Sequence, residues 1–327
     1  MGSNWTWAAL TASAMLVGRV GDMHAQARDY PIIDMHLHAQ RASAQGPPGG
    51  AVCMPTVEFL GWDPRVPLNP GALARCPKPV TGAKTDEELM RRTIAIMERE
   101  NIIGVTSGPQ LATWQAVSPD RFIPGLLTSF DRFSPDTIRT LISSGAVKVL
   151  AEVTTQYRGL PPNAPELAPY WAIAEELDVP VGIHMAGAGP PGIPLMGQRR
   201  YRAAHGNPLL LEDVLTRHPK LRVYISHAGF PYIDDLISLM ILYPQVHVDI
   251  GVIAWAMPRP EFHRFLQRLV DAGMGQRIMF GSDQMVWPEA IEATIEAIET
   301  ASFLTPHARR AIYYDNARKF LRLDRSP

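Results

Sequence analysis

Histidine side chains stand at the ends of several short apolar segments of this sequence. His36 and His38 end one segment, His184 ends a second, His227 ends a third, and Asp283 ends a fourth in the same way. Imidazole nitrogens and carboxylate oxygens are the donors that hold zinc and similar divalent ions in catalytic sites. The residue types therefore predict a metal site formed by His36, His38, His184 and Asp283.

Three roles stay open for His227, which follows Ser226 at the end of its segment. It can bind the metal as a further ligand, transfer protons beside it, or be a structural neighbour; we favour proton transfer. Asp34 and Asp249 lie near the ends of the same kind of segment. They are interpreted as hydrogen-bond partners of the ligands rather than as ligands.

The elements that position these side chains are predicted to be strands of one sheet. Short β-branched segments alternate with longer amphipathic ones, which is typical of repeated βα units around a parallel sheet. Because side chains alternate across a strand, His36 and His38 point the same way. The predicted strands are Pro31–His38, Ile102–Ser107, Phe122–Ser129, Val147–Val153, Val179–His184, Leu221–His227, Val246–Gly251 and Arg277–Asp283.

Eight strands, each followed by a helix, predict an α/β fold, a single-domain (β/α)8 TIM barrel. Capping residues indicate helix starts at Thr85, Ser134, Asn207 and Thr305. A doubly wound open sheet is the alternative, but it typically has a glycine-rich turn after its first strand, whereas this first strand ends in histidines. Catalytic residues of TIM barrels lie at the carboxyl ends of the strands, as the histidines would here.

Composition excludes several other classes of protein. Of 327 residues, 46% are hydrophobic and 19% charged, with 31 Lys and Arg against 32 Asp and Glu, which argues against disorder and against a nucleic-acid partner. No segment has the roughly 18 to 20 apolar residues of a membrane span. Two cysteines cannot form a four-thiolate zinc site. We expect a small-molecule substrate, and a homodimer stays open.

The amino-terminal segment predicts an exported protein. Residues 5–18 are apolar or small, and Ala25-Gln26-Ala27 matches a signal-peptidase pattern. Residues 1–27 are thus predicted to be a signal peptide and residues 28–327 a periplasmic or secreted barrel. The alternative is an expression remnant followed by an amphipathic helix, in a cytoplasmic protein. Export would allow Cys53 and Cys76, which share one long loop, to form a disulfide, whereas the cytosol would leave two free thiols.

Together these motifs resemble the amidohydrolase superfamily. More narrowly, the chain is similar to the amidohydrolase-related family that includes aminocarboxymuconate semialdehyde decarboxylase, resorcylate decarboxylases and dicarboxylate lactonases. The matching motifs are Ile33-Asp34-Met35-His36-Leu37-His38, Pro180-Val181-Gly182-Ile183-His184, Ser226-His227-Ala228-Gly229, Phe280-Gly281-Ser282-Asp283 and Asp315-Asn316-Ala317-Arg318-Lys319-Phe320-Leu321. The resemblance implies that His36, His38, His184 and Asp283 bind one metal ion, that Asp283 handles the proton of the attacking water, and that His227 stands beside the ion.

Glu152 ends the fourth predicted strand. Binuclear members of the wider superfamily hold a bridging carboxylated lysine or a glutamate there, so the resemblance allows Glu152 to bridge two metals, with His227 as a ligand. The alternative is a carboxylate that orients the substrate or a ligand histidine. We expect one divalent ion, zinc by preference, with manganese or iron as alternatives.

The predicted function is metal-dependent hydrolysis of a lactone, ester or amide bond in a small, aromatic or carboxylated substrate. The ion would lower the pKa of a bound water toward about 7, Asp283 would accept its proton, and His227 would stabilise the oxyanion. The first alternative is a nonoxidative decarboxylase of an aromatic or enoic acid, since the resembled family includes such lyases. A non-catalytic metal-binding barrel is less favoured, because a structural zinc site needs no proton-transfer groups.

Overall fold

The computed structural model describes residues 28–59, 61–67, 75–189 and 192–323. The predicted signal peptide lies outside the described residues. The strands of the described part are β1 (Ile32–His38), β2 (Ala51–Val52), β3 (Val80–Thr81), β4 (Ile102–Ser107), β5 (Phe122–Pro124), β6 (Leu150–Val153), β7 (Val181–His184), β8 (Val223–Ser226), β9 (Val246–Asp249) and β10 (Ile278–Met279).

The parallel strands form two sheets that meet on both sides to make a barrel. One sheet has the order β1-β4-β5, and the other has the order β10-β9-β8-β7-β6. A parallel bridge between Gly125 and Val149 connects the end of β5 to the start of β6. On the opposite side, the Met35 N–H donates to the Phe280 carbonyl at 2.9 Å and so connects β1 to the end of β10. The predicted TIM barrel is confirmed.

Helices follow the strands, as the sequence pattern predicts. They are α1 (Asp86–Arg99), α2 (Leu111–Val117), α3 (Pro135–Ser143), α4 (Ala168–Glu176), α5 (Glu212–Arg217), α6 (Ile233–Leu242), α7 (Ile253–Ala256), α8 (Arg259–Asp271), α9 (Ala290–Glu299), α10 (Pro306–Arg310) and α11 (Asn316–Leu321). Thr85, Ser134 and Thr305 cap α1, α3 and α10, and Asn207 caps a 3-10 turn before α5. None of the helices in the described ranges is long and apolar enough to span a bilayer.

Two ladders are interrupted at the strand ends that carry polar residues. The register of β1 against β4 shifts by one residue around His36, and that of β6 against β7 shifts around Glu152. Such bulges re-aim side chains and are common beside active sites. The last strand is also shorter than the predicted Arg277–Asp283, because the Phe280 N–H donates to the Ile312 carbonyl at 2.9 Å instead of continuing the sheet.

Large and small residues alternate inside the barrel so that its interior is filled. Tyr224 is 1% exposed, and its hydroxyl donates to the Met35 carbonyl at 2.9 Å. The ring lies against Gly182, where a Cβ atom would come within 2.2 Å of a ring carbon. The interior is therefore a packed core, as in other TIM barrels, and the polar residues gather at the carboxyl ends of the strands.

A disulfide in one loop and the hydrogen bonds of a C-terminal asparagine add connections outside the two sheets. The loop between β1 and α1 contains the antiparallel pair β2 and β3, and Cys53 and Cys76 in it form a disulfide. At the other end of the chain, the buried amide of Asn316 donates to the carbonyls of Gly275 and Ile278 at 2.9 and 2.7 Å. The C-terminal motif thus holds the start of β10 in place.

Candidate metal centre

The predicted site residues converge at one end of the barrel. His36 and His38 lie on β1, His184 ends β7, His227 follows β8 and Asp283 follows β10. They are between 2% and 6% exposed. The Nε2 atoms of His36 and His38 are 3.1 Å apart, and Asp283 Oδ1 lies 3.7 Å from the first and 3.2 Å from the second.

Glu152 lies between two pairs of imidazoles. Its Oε2 atom is 3.6 Å from His36 Nε2 and 3.8 Å from His38 Nε2. Its Oε1 atom is 2.7 Å from His184 Nδ1 and 3.2 Å from His227 Nε2, and these two nitrogens are 3.0 Å apart. One carboxylate therefore connects the histidines of β1 to those of β7 and β8.

The buried carboxylates give the site a negative potential. Burial lowers the pKa of His36, but Asp283, Asp249 and Glu152 outweigh burial and raise that pKa well above its usual value. Burial raises the pKa of Glu152, but the surrounding histidines lower it well below its usual range. Burial also raises the pKa of Asp283, whereas His36 and His38 lower it, to about 2. Ionised carboxylates in a buried site attract a cation to their centre.

The donor atoms present fit a divalent metal ion. Nitrogen and carboxylate oxygen donors in a buried pocket suit zinc, manganese or iron. The sets whose donor atoms lie within 4.8 Å of one another are His36 with His38 and Glu152, Glu152 with His184 and His227, and His36 with His227 and Asp249. The structure thus groups His184 with Glu152 and His227, while Asp283 approaches His36 and His38.

Asp249, at the end of β9, orients the ring of His36. The His36 Nδ1–H donates to Asp249 Oδ2 at 3.1 Å, so Nε2 is left to face the site. The other oxygen, Asp249 Oδ1, accepts from the backbone N–H of Gly251 at 2.7 Å. A carboxylate behind a ligand histidine fixes the tautomer and orientation of the ring. Asp249 is in the position expected of a positioning residue.

The backbone at the end of β1 is also held by side chains of neighbouring segments. Asp34 Oδ1 accepts from the backbone N–H of His36 at 2.9 Å and of Ser282 at 3.0 Å. Gln284 accepts from the His38 N–H at 3.0 Å and donates to the His38 carbonyl at 2.7 Å. These contacts fix both histidines through the main chain.

Two site residues have left-handed backbone conformations. The φ angles of His227 and Asp283 are 62° and 47°. Non-glycine residues adopt this conformation rarely and at a cost of about 1 kcal/mol or more each, often at functional sites. Hydrogen bonds hold both turns: the Asp283 N–H donates to the His36 carbonyl at 2.7 Å, and the His227 Nδ1–H donates to the Gly251 carbonyl at 2.9 Å. The observed strands β8 and β10 therefore end before His227 and Asp283, whereas the predicted strands included these two residues.

A family model for amidohydrolases matches residues 33–323. This range contains every residue of the metal centre. The chain belongs to the amidohydrolase family. The resemblance inferred from the histidine motifs is confirmed.

The solved structures similar to this amidohydrolase include enzymes named for two kinds of reaction. A dihydroxybenzoic acid decarboxylase from a Polaromonas species, with bound manganese and the inhibitor 2-nitroresorcinol, is 14% identical with a TM-score of 0.57, over 90% of this chain and 98% of that one. A probable 2-pyrone-4,6-dicarboxylic acid hydrolase from Acinetobacter baumannii, with citric acid bound, is 14% identical with a TM-score of 0.56, over 89% and 99%. At such identities the likeness shows the fold alone.

Among curated proteins, Protein fluG of Emericella nidulans is 21% identical over 124 residues. The match covers 36% of this chain and 14% of the length of that protein. The matched segment of this amidohydrolase therefore spans only a small part of the length of that relative.

Two tyrosines that the sequence analysis missed contact His184. The ring centroid of Tyr157 is 4.8 Å from that of His184, and the hydroxyl of Tyr201 is 3.5 Å from His184 Nε2. The Tyr201 hydroxyl donates to the Ala186 carbonyl at 3.0 Å, which holds it beside the site. Both tyrosines come from connections after strand ends, where no regular spacing marks them.

Replacing Asp249 by asparagine removes the negative charge behind His36 with little change in shape. We expect Asp249→Asn to bind zinc about 10- to 100-fold more weakly, because the carboxylate that orients a ligand histidine is lost. Competitive titration against a chromophoric chelator measures this affinity. Asp271→Asn, which alters an exposed carboxylate at the end of α8, is the matched control. Equal zinc affinities of the two variants would contradict the role of Asp249.

Proposed function

We propose that this amidohydrolase is a metal-dependent hydrolase of a lactone, ester or amide bond in a small substrate. The observation that carries the proposal is the position of Asp283. Its Oδ1 atom is 3.2 Å from His38 Nε2, and its Oδ2 atom is 3.9 Å from His227 Nδ1. A carboxylate so placed is within reach of a water molecule held among the histidines, and hydrolysis requires such a proton acceptor.

His36, His38, His184 and Asp283 are the proposed ligands of a divalent ion, zinc by preference. When bound, such an ion polarises a carbonyl group and makes a coordinated water more acidic. Asp283 accepts a proton from the attacking water and delivers it to the leaving group. His36 and His38, fixed by Asp249 and Gln284, keep the reacting groups aligned with Asp283.

His227 is the proposed donor to the developing oxyanion. Because its Nδ1–H donates to the Gly251 carbonyl at 2.9 Å, Nε2 is the nitrogen that faces Glu152 and His184. A protonated Nε2 at that point can donate a hydrogen bond to a negatively charged oxygen of the substrate. Fixed donors of this kind stabilise a transition state by several kcal/mol, of the order of 3.

The proton acceptor can be removed while the shape of the site is kept. We expect Asp283→Asn to lower kcat by about 10²- to 10⁴-fold, because the amide cannot accept the proton. Zinc content should persist through the remaining donors. Steady-state kinetics and elemental analysis on the same sample give both quantities, with Asp271→Asn as the fully active control. Nearly unchanged kcat in zinc-loaded Asp283→Asn would exclude Asp283 as the base.

Glu152 supports a second candidate for the metal content. Its two oxygens face different imidazole pairs, so His36 and His38 on one side and His184 and His227 on the other could each hold an ion with Glu152 shared. Sites that hold two metal ions occur in phosphatases, nucleases and aminopeptidases. In this arrangement His227 is a ligand, whereas with one ion it is the proton donor.

The two arrangements differ in metal stoichiometry. With a shared Glu152, the zinc-saturated and desalted chain should retain about two ions, and His227→Ala should retain about one, because its second set loses a donor. Elemental analysis against protein concentration measures the ratio. Asp271→Asn again serves as the control. A ratio of about one in the intact chain, unchanged in His227→Ala, would contradict the two-ion arrangement and favour His227 as the donor.

A nonoxidative decarboxylase of an aromatic acid is the second candidate function. Tyr157, whose ring centroid is 4.8 Å from that of His184, provides an aromatic ring against which a substrate ring can pack. The same imidazole and carboxylate donors serve both chemistries, so the identity of the product distinguishes them.

We also propose that the protein is exported. The apolar segment before residue 28 and the disulfide between Cys53 and Cys76 support this proposal, because structural disulfides are typical of oxidising compartments. Intact mass spectrometry of protein secreted by a bacterial host should show a chain that begins at Arg28. Retention of residues 1–27 in the cytoplasm would contradict export.

A further inference from the structure

An arginine-lined cavity of about 450 Å³, wide open to solvent, lies at the surface of the protein. Its walls come from the connection after β6 and from the long connection after β7. The lining residues are Arg158, Gly159, Arg200, Arg202, Ala204 and His205. We call this cavity the arginine cleft. Its volume is in the range of small-molecule sites in proteins.

The guanidinium groups of the arginine cleft have no carboxylate partner among the described residues. Arg158 donates to the Ser129 carbonyl at 2.9 Å, and Arg202 donates to the carbonyls of Arg199 and Tyr201 at 2.6 and 3.0 Å. No ion pair within 4.0 Å involves Arg158, Arg200 or Arg202 in the described part of the chain. Positive charges gathered without counter-ions around a cavity attract anions into it.

Other arginines of the protein are arranged differently. Arg92 forms ion pairs with Glu88 and Glu289, and Arg139 forms one with Glu176. The charge of Arg158 affects the acidic side chain of Asp131. The hydrogen bond from Ser129 lowers the pKa of Asp131 most, and Arg158 lowers it to a smaller extent. Asp131 makes no ion pair with Arg158 in the described ranges. The arginines of the cleft therefore form no ion pair in the described part of the chain, and Asp131 compensates the charge of Arg158 only in part.

His205 lines the cleft beside these arginines. Its Nδ1 atom is buried without a hydrogen-bond partner among the described residues. Burial lowers the pKa of His205, and the positive charge of Arg202 lowers it further. A buried polar atom without a partner is uncommon in folded proteins, and this nitrogen is closed off from the cleft as well as from solvent. The groups of the cleft that can bind an anion are therefore its arginines.

We propose that the arginine cleft is a binding site for an oxyanion, namely a carboxylate or a phosphate group. Guanidinium groups present paired N–H donors that match the oxygens of both groups, and such charge-assisted hydrogen bonds are strong. Arg200 is the best-placed contributor, because its side chain has no hydrogen bond to the protein in the described ranges.

The arginines of the cleft are sequence neighbours of the two tyrosines that contact His184. Tyr157 precedes Arg158, and Tyr201 separates Arg200 from Arg202 in the chain. The two tyrosine rings are 5.1 Å apart, and both contact His184. The oxyanion is therefore either an acidic group at the far end of the substrate or a free anion bound beside it. The first source rests on the proposed hydrolase function, whereas the second does not.

Isothermal titration calorimetry of the full chain with inorganic phosphate at low ionic strength tests the site directly. We expect Arg200→Met and Arg200→Glu to bind phosphate about tenfold more weakly or worse, because each removes charge-assisted hydrogen bonds. Arg199→Met and Arg199→Glu are the matched controls, since the neighbouring Arg199 does not line the cleft. Thermal unfolding of all the variants verifies that they are folded.

Binding that weakens in the Arg200 variants and not in the Arg199 variants supports the site. Absence of phosphate binding to the intact chain, or equal binding by all folded variants, overturns it. Inhibition kinetics then distinguish the two sources of the oxyanion, which are the substrate itself and a free anion. Phosphate that competes with a carboxylated substrate but not with its neutral methyl ester assigns the cleft to the substrate, and binding that leaves both turnovers unchanged assigns it to a free anion. Because calorimetry requires no turnover, failure of the anion site and failure of the hydrolase proposal are distinguishable.

Discussion

The structure depends on holding ionised carboxylates among imidazoles in a site that is almost free of solvent. Burying a charge costs several kcal/mol unless an opposite charge and hydrogen bonds compensate it. Glu152 and Asp283 face the rings of His36, His38, His184 and His227 at distances from 2.7 to 3.9 Å. The convergence of negative oxygens and imidazole nitrogens is the electrostatic basis for a bound cation, and the strand ends of a closed barrel are what bring them together.

The rest of the architecture serves this convergence. Bulges around His36 and Glu152 change the direction of two strands where their side chains enter the site. Asp249 and Gln284 fix the two β1 histidines from neighbouring segments, and the left-handed turns at His227 and Asp283 bring these residues back toward the centre. Many short contacts between adjacent strands fix the positions of these side chains. Such exact placement matters because a site of this kind loses activity when its groups shift by about 1 Å.

Patterns that repeat along the chain made the barrel and its histidines predictable. The alternation of strands and helices, the capping residues at Thr85 and Ser134, and the histidines at strand ends are local signals that single residues carry. The position of Glu152 between two imidazole pairs depends on contacts between four strands, so no local spacing could show it. Tyr157 and the arginine cleft lie in irregular connections, where no local spacing could show them either. The early end of β10 depends on a contact with Ile312, which is distant in sequence. Fold is shared widely among such barrels, whereas the reaction depends on these connections.

The product formed by the zinc-loaded protein tests the central claim most directly. The protein is incubated with a panel of lactones, esters, amides and hydroxybenzoates, and acid release and CO2 release are measured in parallel before and after chelation of the metal. The account predicts release of the acid or alcohol of at least one lactone, ester or amide, no CO2, and loss of this activity on chelation that added zinc restores. Metal-dependent CO2 release from a hydroxybenzoate without any hydrolysis would contradict it.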